Sequence, residues 1–218
     1  ITTARDMAIL STRLMSDFPE YVGYYATKEY AYPGTPASNG TNRNTLLFRD
    51  PTVDGLKTGH TDAAGYNLIA TAKRPFPNLP EGRRLLAIVF GTASENARAN
   101  ETQKLLNWGY TAFEGIQLFG ADQAAVKARI WKAVGLGRHQ AITVAVPAGK
   151  AQQLTTQVER PDPLVAPVAK DQAVGTLKVM LEGQPINTVQ LLALEAVPQA
   201  GFFGRLWDSL RMWFGSLF

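Results

Sequence analysis

The 218 residues contain no cysteine. Disulfide stapling, thiolate metal ligation and a cysteine nucleophile are excluded, and the omission suits an oxidising compartment where stray thiols are a liability. No run approaches the ~20 consecutive apolar residues that a spanning helix needs. There is no basic stripe either. The formal net charge of +4 is spread as +1, +2 and +1 over residues 1–114, 115–200 and 201–218, so no nucleic-acid partner is expected. An initiator methionine and a leader with a charged start and an apolar core are also missing, and the chain opens on Ile1 directly inside a helical pattern. That opening leads us to expect a processed or partial product.

Hydrophobic residues make up 45% of the chain and charged residues 18%, enough apolar matter for a real core and too little charge for disorder. With 19 glycines and 13 prolines, turns are expected to outnumber long helices. In residues 1–114, Thr3 followed by Asp6 has the capping-box form, and Met7, Leu10 and Leu14 continue at helical spacing. A tyrosine-rich stretch and a Pro/Gly/Ser/Asn loop follow. Strands are predicted over 52–60, 67–72 and 85–90, with a turn over 75–82 and a helix over 94–113. The last strand's apolar run suits a central position. Strands covered by helices point to an α/β sheet domain.

Residues 115–200 change texture. Short β-branched runs at 124–131, 142–146, 154–159, 174–181 and 189–196 are separated by turn residues, the pattern of a small all-β sandwich or barrel. Gly135-Leu136-Gly137 has a superficial phosphate-loop look but no Lys-Ser/Thr after it. The carboxylates here are dispersed, and His139 reads as a solvated loop residue. Residues 201–218 place Phe203, Leu206, Trp207, Leu210, Trp213, Phe214 and Leu217 at three- and four-residue steps, a wide apolar helical face. Such a helix either packs on its own core or lies in a membrane's headgroup plane. The aromatic load and the hinge at Pro198–Gly201 favour the membrane.

The chemistry is concentrated in Val53-Asp54-Gly55-Leu56-Lys57-Thr58-Gly59-His60, ending a predicted strand with a second strand beyond it. A glycine within a strand admits another backbone, and an added peptide could pair with such an edge. Lysine supplies a cation and threonine a hydroxyl for a carboxylate. Taken alone, Lys57-Thr58-Gly59 fits an ordinary surface strand ending in a Thr-Gly turn better than a functional lip. The longer segment Asp54–Leu68, with Asn42, Asn44 and Leu105-Leu106-Asn107-Trp108-Gly109, resembles the serine D-alanyl-D-alanine carboxypeptidases among the low-molecular-mass penicillin-binding proteins, whose signatures are Ser-x-x-Lys, Ser-x-Asn and Lys-Thr-Gly.

The resemblance implies an α/β (α+β) penicillin-recognising transpeptidase-like domain, partial, over 1–114, then a small all-β domain over 115–200 and an amphipathic membrane-anchoring helix over 201–218. It implies removal of the terminal D-alanine from peptidoglycan pentapeptides through an acyl-enzyme, and acylation by β-lactam antibiotics. Lys57 resembles the third-motif lysine, Thr58 and Arg98 the residues holding the substrate's terminal carboxylate, and the His60 N–H an oxyanion donor, with Gly59 lining the same lip. No metal or cofactor is implied. The implied location is periplasmic, on the outer face of the inner membrane, which the C-terminal helix contacts. The sequence also departs from the family. None of the six serines has lysine three residues later, and Ser94-Glu95-Asn96 follows Lys57 where the family's Ser-x-Asn precedes it. The nucleophile is therefore expected upstream, in a separate N-terminal segment, and the chain alone is expected to be inactive. A catalytically inactive, membrane-associated interaction module of the cell envelope is the alternative.

Overall fold

The computed structural model describes residues 2–34, 36–77, 79–129 and 133–199, and the chain divides into two units, Ile1–Glu114 and Gly115–Phe218. In the first unit, α1 (Ala4–Asp17) starts at Thr3, whose hydroxyl accepts from the Asp6 N–H at 3.1 Å while the Thr3 N–H donates to the Asp6 carboxylate at 3.0 Å. This reciprocal pair closes the capping box legible in the sequence. Two short helices, α2 (Val22–Tyr25) and α3 (Leu46–Arg49), lead into β1 (Val53–Thr61), β2 (Gly65–Phe76) and β3 (Leu79–Thr92). Helix α4 (Glu95–Ala112) follows, with the Ser94 hydroxyl accepting from the Ala97 N–H at 3.1 Å.

The three strands form an antiparallel sheet in the order β1-β2-β3. The central strand is β2, whereas the apolar run at 85–90 was expected there. Leu68, Ile69, Ala70, Thr71 and Ala72 of β2 are all buried in succession, so both of its faces are covered. Leu46, Leu47, Val53, Leu68, Ala99 and Leu106 belong to the same core cluster. The expected turn over 75–82 is mostly strand. The ladder continues to Phe76 opposite Leu79 through an irregularity, and Gly82, at φ +71°, lies where a Cβ would come within 2.7 Å of the Arg74 carbonyl oxygen. Prolines and glycine mark a bulged hairpin here, which composition alone does not separate from a loop.

A polar cluster joins α4 to the sheet. The Asp50 carboxylate accepts from Arg74 at 2.8 Å, from Gln103 at 3.0 Å and from the Thr52 N–H and hydroxyl. Burial pushes the Asp50 carboxyl up, but the hydrogen bonds from Thr52, Gln103 and Arg74 outweigh it and hold the group at about 2 instead of 3.8. A depressed folded-state value favours the ionised form. The stabilisation is complete above pH 3.8 and is lost as pH falls toward about 2. Urea midpoints measured across that window are expected to fall more steeply in the native chain than in Asp50→Asn; parallel curves would remove Asp50 as the cause.

The second unit comprises β4 (Phe113–Phe119), which begins just before the division, β5 (Ala124–Arg129), β6 (Ala133–Gly137), β7 (Ile142–Pro147), β8 (Leu154–Glu159), β9 (Ala173–Leu181) and β10 (Gln184–Ala193). A five-stranded sheet in the order β5-β6-β10-β9-β8 and a two-stranded β4-β7 sheet contribute to one core. Strand β7 buries Ile142, Val144 and Val146 in strict alternation, and these join Val134, Leu136, Leu177, Val179 and Leu191. The Gly135-Leu136-Gly137 segment is part of strand β6 and not a phosphate loop. Its glycines allow β5 to approach, since a Cβ on Gly137 would stand 2.4 Å from the Gln123 carbonyl oxygen. His139 is exposed in a bend, the solvated loop position expected of it, and it also makes two specific contacts. Its imidazole bridges the carboxylates of Asp122 and Asp171, two turn residues with positive φ, and the hydrogen bonds from Asp122 first and Asp171 second raise its pKa above 6.5.

Candidate functional site

Strand β1 carries the Lys57-Thr58-Gly59-His60 segment to an open rim. Its first half is anchored: the buried Asn44 amide donates to the Gly55 carbonyl at 2.9 Å, and Asn44 Oδ1 accepts from the Leu46 N–H at 3.2 Å. Gly55 is closely packed, since a Cβ there would stand 3.2 Å from both Thr71 and Tyr25 and those side chains would have to give by a few tenths of an ångström. Beyond the buried Leu56 the strand emerges. Lys57, Gly59 and His60 are exposed and Thr58 is half-buried. Successive side chains of a strand point to opposite faces, so Lys57 and Thr58 leave β1 on opposite sides of the strand. The Lys57 ammonium donates to the Thr58 carbonyl. A Cβ on Gly59 would meet nothing within 4 Å, so packing gives no reason for glycine at that position.

The outer edge of β1 is unpaired among the described residues, while its inner edge is in register with β2, placing Lys57 opposite Ile69 and His60 opposite Tyr66. A three-residue loop closes the hairpin, with Gly65 at φ +64° entering β2; a Cβ there would stand 2.9 Å from the Thr92 carbonyl oxygen. Asn67 braces the hairpin end. Its amide donates to the Gly65 carbonyl at 3.0 Å, and its Oδ1 accepts from the Gly91 N–H at 2.9 Å.

Arg98 enters from the first turn of α4. Its side chain is only 3% exposed, and Nη2 donates to Glu95 at 2.8 Å and to the Arg43 carbonyl at 2.9 Å. The guanidinium carbon lies 5.6 Å from the centre of the Tyr66 ring, and that ring stacks on His60 at 3.9 Å. Arg98 is thus linked to the end of β1 through one aromatic side chain, but it is already engaged by an internal carboxylate. Tyr66, Asn67 and Asn44 were not singled out as site residues from the sequence. The signal for Tyr66 was available, since counting outward from the Asp62–Ala64 loop pairs it with His60. Phe203, Leu206, Trp207, Leu210, Trp213, Phe214 and Leu217 lie outside the described residues. Among those described, no helix is long and apolar enough to cross a membrane.

Comparison with known proteins gives the family of both regions. Residues 1–94 match the family model of D-alanyl-D-alanine carboxypeptidase, and residues 113–199 match that of the C-terminal domain of penicillin-binding protein 5. Lys57 to His60 fall in the first match, and Arg98 lies between the two. The chain is 38% identical to D-alanyl-D-alanine carboxypeptidase DacC of Escherichia coli, over 100% of this chain and 54% of that protein. It is 34% identical to DacA of Haemophilus influenzae, over 100% and 55%. The crystal structure of penicillin-binding protein 5 from H. influenzae superposes with a TM-score of 0.74 at 32% identity, covering 91% of this chain and 57% of that one. The chain therefore spans about half the length of the relatives it matches. With both regions matched and the Lys57-Thr58-Gly59 strand in place, this chain belongs to the D-alanyl-D-alanine carboxypeptidase family of penicillin-binding proteins.

Proposed function

We propose that this chain supplies one wall of a serine D-Ala-D-Ala carboxypeptidase that trims peptidoglycan pentapeptides and is acylated by β-lactams. The observation that carries the reading is Gly59. It is exposed on a strand with an unpaired outer edge and faces open space, between a cation and an exposed histidine. A glycine that neither packing nor dihedral angle demands leaves room for a ligand backbone laid along the edge. Lys57 then sets the local positive potential, Thr58 meets the terminal carboxylate together with Arg98, which would exchange its contact with Glu95 for it, and the His60 N–H donates to the oxygen that becomes negative as the carbonyl is attacked.

The attacking hydroxyl is not among these 218 residues, which hold no Ser-x-x-Lys. Supplied by a further segment, it bonds to the carbonyl carbon of the penultimate D-alanine. The bond to the terminal D-alanine nitrogen breaks, that amine leaves with a proton, and water hydrolyses the ester. With a β-lactam, the ring C–N bond breaks but the nitrogen stays tethered, so the acyl-enzyme accumulates. We assign the protein to the periplasmic face of the inner membrane, the location its family implies, with the aromatic periodicity of residues 201–218 supporting contact with a membrane surface.

One reconstitution tests both halves of this reading. The chain is combined with a segment bearing Ser-x-x-Lys, folding is checked by circular dichroism and co-elution, and a fluorescent penicillin is added with and without anionic vesicles. Covalent label and vesicle pelleting are both expected, with pelleting lost when residues 201–218 are removed. A folded assembly that takes no label defeats the catalytic reading. Pelleting unchanged by the truncation defeats the anchor.

A further inference from the structure

Two residues of the proposed site belong to different elements, His60 to β1 and Arg98 to α4, yet both touch the ring of Tyr66. The imidazole stacks on it with centroids 3.9 Å apart and planes 30° apart, and the guanidinium carbon lies 5.6 Å from its centre. The ring is itself well placed to act as a reference. Tyr66 is the second residue of β2, directly after Gly65; its carbonyl accepts from the Thr92 hydroxyl at 2.9 Å, and the next residue, Asn67, braces the hairpin against Gly91. A flat, half-buried ring held by its backbone offers an electron-rich face to a cation and a stacking surface to an imidazole.

We propose that Tyr66 is a positioning residue: its ring couples the orientation of His60 to that of the Arg98 guanidinium, so that the strand edge and the carboxylate anchor keep a fixed separation. The coupling stands on the contacts alone. Its consequence for the reaction rests on the function proposed above. In that reaction a pentapeptide must lie along β1 while its terminal carboxylate reaches α4, so a shift of either partner misplaces the scissile carbonyl.

The coupling is tested on the chain itself by nuclear magnetic resonance. With only His60 and His139 present, the two imidazoles give separable signals, and His139 in the other unit serves as a control. Arg98→Lys is expected to move the His60 ring resonances in the parent chain and to leave them unmoved in a Tyr66→Leu background, with Tyr66→Phe behaving as the parent. A response equal in both backgrounds, or absent from the parent, overturns the coupling. The consequence is tested in the reconstituted assembly. Tyr66→Leu is expected to raise the penicillin concentration giving half-maximal acylation rate about tenfold, with the maximal rate within about threefold, and Tyr66→Phe to stay near the parent in both. Loss confined to the maximal rate, or Tyr66→Phe as damaging as Tyr66→Leu, overturns the positioning role. An unlabelled parent assembly defeats the proposed function, while the resonance measurement still decides the coupling.

Discussion

Replacing Lys57 by alanine is expected to slow penicillin acylation of the reconstituted assembly about 10³-fold, with little change in stability. The two parts of this result have separate causes. Stability depends on what Lys57 touches, and among the described residues its exposed side chain donates to the neighbouring Thr58 carbonyl alone, a group that water can serve equally well. Surface substitutions of this kind stay within about 0.5 kcal/mol. Catalysis depends on what Lys57 faces once a substrate lies along β1. A unit charge about 4 Å from a carboxylate contributes roughly 4 kcal/mol at an effective dielectric of 20, before desolvation. Losing a comparable preorganised donor costs other enzymes about 2.7–4 kcal/mol, or two to three decades in rate. The measurement is the second-order labelling rate beside the urea midpoint. Labelling within a few-fold of the parent would falsify the assignment of Lys57. Arg98→Ala is a poorer probe, because Arg98 is buried and bonded to Glu95 and the Arg43 carbonyl, so its loss mixes stability with affinity.

What was legible in the sequence follows what is local. Thr3 with Asp6, and Ser94 with Ala97, are contacts across three residues, and both caps stand where the sequence puts them. The lip of β1 was legible because its residues are consecutive and exposed. Contacts set by ladder register or by distant loops were not. Tyr66 meets His60 only through the hairpin pairing, Asn44 reaches Gly55 from a loop, and Asp122 and Asp171 converge on His139 from turns 17 and 32 residues away in the chain. The covering of Arg98 was hidden for the same reason, since the Arg43 carbonyl that it meets lies in a segment before β1. Central and edge strands were also exchanged. Apolar content suggested 85–90 for the middle, but the centre of this sheet is packed with Ala70 and Ala72, small residues that let core helices come close.

Gly137→Ala is expected to destabilise the second unit by about 3 kcal/mol, toward the upper end of what one added methyl costs in a packed interior. The distinction lies in what the methyl meets. At Gly137 it would stand 2.4 Å from the Gln123 carbonyl oxygen, a backbone atom that cannot turn aside, and 3.1 Å from a Leu194 methyl. At Gly135 it would stand 3.1 Å from the Ala124 Cβ, so a few tenths of an ångström of movement suffice. Gly135→Ala is accordingly expected to cost about 1 kcal/mol or less. Gly137 also pairs with Ala124 on one side and Leu192 on the other, so displacing it disturbs β5, β6 and β10 together. Urea titrations followed by second-unit amide signals give both values, and repeating them with inorganic phosphate separates packing from anion binding. A phosphate-dependent midpoint abolished by Gly137→Ala would restore the phosphate-loop reading. Equal costs at the two glycines would mean that β5 yields as a body, contrary to the immobile carbonyl on which the larger figure depends.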